Sequence, residues 1–158
     1  MTKMNGKLIQ DFKNAWKNAN AATIGFAVNI PPSQWEVKPF NPRFKSFAWE
    51  FACLSRTRMC YLKGLKTGQL TFSHQGDIPD KEVFERMTKR EILDNLRRLS
   101  RDILKEIEKV KSENAGMVVW LLQHERVHQG KLILYLSEAN FKLPKSFIMT
   151  WGESNFPK

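Results

Sequence analysis

Six apolar residues between 92 and 110 constrain this chain more than anything else in it. Ile92, Leu96, Leu99, Ile103, Ile107 and Val110 recur at steps of three and four, with charges between them. That period is 3.6, not 2, so the segment is an amphipathic helix with one buried stripe and one solvated face. The run 88-TKRE-91 ahead of it has the residue types of a capping box, which places the helix start near Thr88.

The same period returns three more times. Leu8, Phe12, Ala15, Ala19, Ala22 and Phe26 form a stripe over about 7–29. The stretch 30-IPPSQWEVKPFNPR-43 ends it, because its four prolines do not fit inside a helix. A second helix is expected over about 44–66, with Phe47, Phe51, Leu54, Arg58, Leu62 and Leu65 on one stripe. Trp49, Cys53 and Cys60 lie on the opposite side. Two buried faces place that helix in the middle of an assembly, and Gly64 and Gly68 mark its end. A fourth helix is expected over about 115–140 with Asn140 at its C-terminal cap, and Pro144 allows only a short final helix after it. Segment 67–82 reads as a loop, and strand signals are nearly absent. The expected architecture is all-α, a single-domain four-helix bundle over 1–158. It runs up-down with one long crossover and carries a short extra C-terminal helix.

Composition narrows the function classes. No apolar run approaches the length of a membrane span, and the first residues, MTKMNGKLIQDF, lack the apolar segment of a secretory leader. Cys53 and Cys60 stand seven residues apart on one helix, roughly 10 Å between Cα atoms, too far for a disulfide. Reduced thiols and the missing leader make the cytoplasm the default compartment. The formal net charge is +10, and residues 1–66 hold eleven Lys and Arg against three acids. A basic half can serve nucleic acid, but no RNP motif, zinc finger or Gly-flanked basic run accompanies it. The lysines of the first helix are spaced as a solvated face, so solubility is the plainer reading. Five Trp and eleven Phe are many for one small core. With Phe147, Ile148, Trp151 and Phe156 clustered at the C-terminus, a homodimer through a helix face is expected.

The chemistry lies in 124-HERVHQGKLILYL-136, which holds two of the three histidines. His124 and His128 are one helical turn apart on one face, with Leu121 and Leu132 on the same side, so both imidazoles can reach one ion from a core-facing stripe. The plain alternative is two partly buried histidines with hydrogen-bond partners. H-E-x-x-H matches the zinc-protease pattern, but no third ligand follows at a protease spacing: Gly130 comes two residues after His128 and no His follows. Glu125 points about 100° from His124. It reads as an ion-pair partner for Lys131 or an N-terminal lysine rather than as a general base.

These residues resemble the DinB-like family of helical metalloproteins. Its members read H-x-x-x-H-R-G-Q before a leucine-rich half helix and a short loop with proline. Here Gln129 and Lys131 replace the Arg and Gln, while Gly130 and 141-FKLP-144 fit. The segment with Pro31, Trp35 and Pro39 resembles the family's first link. The run 49-WEFACLSRTRMCYLKGL-65 resembles its second helix, which normally supplies the first metal-binding His. In that position this chain has Cys53. The resemblance implies a divalent metal (Zn, Ni or Fe) held by His124, His128 and Cys53, with Glu50 one turn earlier as the alternative ligand. His74 from the loop is a further candidate, and Cys53 as a small core residue is the alternative to any metal role. The resemblance also implies an enzyme acting on a small-molecule thiol or electrophile, a thiol S-transferase or a hydrolase. Arg56 and Arg58 are candidates to hold a substrate carboxylate. Their plainer readings are a surface charge for Arg56 and a half-buried ion pair for Arg58. The competing expectation is a metal-free bundle that acts as a binding or dimerising module.

Overall fold

The computed structural model describes residues 4–39, 43–73 and 77–152. His74, Pro42 and Phe156 lie outside the described residues. Those described form helices and connecting segments only, with no strand among them. The helices are α1 (Gly6–Asn29), α2 (Phe47–Thr67), α3 (Lys81–Glu85), α4 (Lys89–Ile107), α5 (Ala115–Glu138) and α6 (Lys145–Trp151).

Each start has a local cause. Asn5 caps α1 by accepting from the Lys7 amide. α2 begins three residues later than the apolar pattern suggests, because Ser46 accepts from the Trp49 amide and fixes the first turn there. At α4 the capping box is complete: Thr88 accepts from the Glu91 amide and Glu91 returns the bond to the Thr88 amide. α5 ends at Glu138, and Asn140 (φ 57°) makes the left-handed turn just beyond it. α3 was not legible as a helix. Its five residues are too few for a period, and it is held by Phe84, which is buried against α2 and α4.

α1 packs on α4, α5 and α6, and α2 packs chiefly on α4, then on α3 and α5. Contacts at the ends give the directions. Lys13 reaches Glu108 and Lys89 reaches the Val28 and Ile30 carbonyls, so α1 and α4 are antiparallel. Tyr135 meets the Lys45 amide and Arg58 meets Glu125, so α2 and α5 are antiparallel. Trp16 shares a cluster with Leu121, and Asn29 bonds to the Lys142 carbonyl, so α1 and α5 run the same way. α2 and α4 therefore also run the same way, and segment 68–88 is the crossover between them.

The core has two apolar clusters. One gathers Phe26, Phe47, Phe51, Leu96, Leu132 and Tyr135; the other gathers Trp16, Tyr61, Leu99, Ile103 and Leu121. All six residues of the α4 stripe are buried. The α1 stripe is corrected at its start: Leu8 is exposed, whereas Trp16 is fully buried and donates from its indole to the Ser100 carbonyl. Ring size decided this, since a buried Trp excludes more water than a Leu near a helix end. α2 is enclosed on two faces, as its pattern suggests. No helix among the described residues is long and apolar enough to cross a membrane.

Candidate metal centre

Two helices build the site. α2 presents Glu50 and Cys53, and α5 presents His124, His128, Lys131 and Tyr135. One ligand atom each from Cys53, His124 and His128 lies within 4.8 Å of the other two. The Nε2 atoms of His124 and His128 are 3.2 Å apart. Two nitrogens bound at about 2.05 Å to one tetrahedral ion stand about 3.3 Å apart. Two imine lone pairs at that distance repel, so a cation or a proton belongs between them. The donor set, one thiolate sulfur and two imidazoles, is one that zinc and neighbouring transition ions take.

Glu50 sits behind the histidine. Its Oε2 is 2.6 Å from His128 Nδ1, which donates to it and so turns His128 Nε2 toward Cys53 and His124. Tyr135 donates to Glu50 Oε1 at 3.2 Å, and the Lys131 ammonium lies 3.7 Å from Oε2. Glu50 and His128 are buried, while Cys53 and His124 are half-buried. His124 Nδ1 is buried without a hydrogen-bond partner among the described residues.

The charges follow from this geometry. Burial works against a Cys53 thiolate, but hydrogen bonds and charge from His124 and His128 outweigh it and bring the thiol down to about 6. Burial also disfavours a charged His128, yet Cys53 and Glu50 on either side push it up to about 9. Glu50 is held below the usual carboxylate range: burial raises it, and His128, Lys131 and Tyr135 together lower it further. Its negative charge, with burial, drives the Tyr135 phenol up. Between about 6 and 9 the ionic form is thus thiolate, imidazolium and carboxylate in a row.

Cys53 also lines a cleft of about 280 Å³ with Arg56, Thr57, Asp80, Lys81 and Glu82. α3 forms its far wall. Of the trio, Cys53 alone lines this cleft.

Of the alternatives at positions 50 and 53, Cys53 stands in the cluster that could hold an ion, and Glu50 stands behind His128. Arg56 lines the cleft and donates to the Phe72 carbonyl. Arg58 as a substrate-carboxylate residue is corrected. It is fully buried, its fork bonds to both oxygens of Glu125 at 2.7 and 2.9 Å, and its remaining nitrogen bonds to Asn20 and the Leu96 carbonyl. The ion pair is the role observed, and it is fully rather than half buried. Glu125 is an ion-pair partner, but of Arg58 and not of Lys131 or an N-terminal lysine. Lys131 faces Glu50 instead. Sequence reasoning missed Tyr135 and Lys81. Tyr135 stands seven residues after His128 on the same face, a signal that was legible; Lys81 depends on the crossover's path and was not.

No family model matches this chain, and no curated protein matches it.

Proposed function

We propose that the chain is a DinB-like four-helix bundle that binds a divalent metal through Cys53, His124 and His128 and acts on a small electrophile, by thiol S-transfer or hydrolysis. The observation that carries this reading is the convergence of the three donors beside an open cleft. A metal held by three protein ligands keeps a position free, where it lowers the pKa of a water or a thiol toward neutrality. The chain's own groups do the rest. Glu50 fixes the tautomer and orientation of His128, and Tyr135 and Lys131 fix Glu50. Arg56 and Lys81, on facing walls of the cleft, offer donors to a carboxylate on the reactant.

A specific observation favours a second reading. Cys53 and His128 hydrogen-bond one another and Glu50 takes the other ring nitrogen, so these side chains have partners without a metal, which suits a metal-free DinB-like module that binds a partner without catalysis. Elemental analysis of protein purified without a His tag separates the two. Stoichiometric zinc, nickel or iron that is lost in both His128→Ala and Cys53→Ala supports the metalloenzyme. Metal-free protein whose unfolding is unchanged by chelator supports the binding module.

A further inference from the structure

The solvent faces of α4 and α5 differ in kind. Every exposed residue within α4 is charged: Arg90, Glu91, Asp94, Arg97, Arg98, Arg101 and Lys105. That is how a water-facing helix surface is built. Along α5, by contrast, the exposed residues up to Ser137 carry no charge at all, and only the terminal Glu138 does. The stripe runs through Trp120, Val127 and Leu134, which are 65%, 58% and 51% exposed. These three stand at steps of seven, the spacing at which two helices mesh side chains. Gly116 and Gly130 lie on the same stripe, and a methyl group at either would meet nothing within 4 Å. α6 extends the patch: Trp151 stacks over the Arg126 guanidinium of α5 at 4.6 Å, and Met149 is exposed near it in sequence.

We infer that this face pairs with the same face of a second copy of the chain, helix α5 against helix α5 about a two-fold axis. Three considerations select that occupant. A partner of opposite charge needs exposed cations on the face; the exposed residues of the stripe carry none although the chain carries +10, and the Arg126 guanidinium at its edge is stacked against Trp151. Two copies of so basic a chain repel each other, so they can meet only where charge has been cleared from the surface. A seven-residue stripe is complemented by another helix with the same stripe, and a two-fold axis supplies one while covering both copies at once. The stripe is about 30 Å long and about 10 Å wide. With α6 its footprint is a few hundred Å² per copy, which belongs to the small, rapidly exchanging class of interface.

The test is mass in solution by analytical ultracentrifugation over a dilution series, in about 1 M salt as well as low salt. The expected result is twice the 18.5 kDa of one chain at high concentration, dissociation on dilution, and no weakening by salt. Val127→Lys with Leu134→Lys should give monomers, whereas Arg101→Glu on α4 should not. Gln123→Lys, a polar-for-polar change on the same stripe, gives the same readout if the double variant does not fold. A monomer at every concentration overturns the inference. So does a dimer that survives the stripe variants, or a monomer that pellets with lipid vesicles.

Discussion

Arg58 occupies a position where the α2 stripe calls for an apolar side chain, and that oddity is visible in the sequence. An ion pair was its plainer reading there, but the partner and the full burial were not visible. Arg58 and Glu125 are both fully buried, in a layer between the two apolar clusters, with Thr23 donating to Glu125 and Gln129 bonded to Thr23 and the Ala19 carbonyl. Because the charges satisfy one another, removing one leaves the other buried and unpaired. Arg58→Met alone, or Glu125→Gln alone, is expected to cost about 3–5 kcal/mol in urea unfolding, while replacing both with apolar residues should cost much less. Glu50 acts through His128. Glu50→Gln is expected to weaken metal binding about 10- to 100-fold by chelator competition, with the ligand count unchanged. In the metal-free protein the iodoacetamide rate at Cys53 should titrate near about 6 instead of the ordinary 9.0, and His128→Ala should move the midpoint up. The sign for stability follows from the proton count. The lowered Cys53 value adds stability as pH rises from about 6 toward 9, and the raised His128 value removes it from 6.5 toward about 9. The proton leaves sulfur and stays on the ring, so the two slopes cancel and stability is flat across that window.

At the scale of elements, local chemistry was legible wherever it was local. The capping box at Thr88 stood in the sequence and stands in the structure. Thr88→Ala should lower stability by about 1 kcal/mol by thermal or urea unfolding, with α4 still formed. The length of α2 depended on the Ser46 cap rather than on the apolar run that reaches back to Phe44. α3 depended on Phe84 finding the core, which no five-residue pattern announces. α6 was legible only as a short final helix after Pro144, and its docking contact is tight. Phe147 meets Phe26 with ring centroids 5.3 Å apart, and a methyl at Gly25 would overlap Ser146 and come within 2.8 Å of the Pro144 side chain. Gly25→Ala should therefore destabilise the chain despite its better helix propensity, and proteolysis should begin at α6.

Across the whole molecule, the two apolar clusters extend well beyond Cys53, His124 and His128, so the fold rests on burial. Chelation is expected to lower the Tm of metal-loaded protein without abolishing the helical circular dichroism, unlike a small zinc module. The sequence by itself determined the helical class, the four long helices, the two-faced burial of α2 and the histidine pair at one helical turn. All of these are set within about twenty residues by the 3.6-residue period and by capping. Tertiary structure alone decided that Cys53 joins the histidines while Glu50 stands behind them, that Arg58 answers Glu125, and that α3 walls the cleft. Residues 53 and 128 meet only after two helices have taken a particular rotation and register. That rotation is selected by every side chain packed between them, and no single stretch of chain contains it.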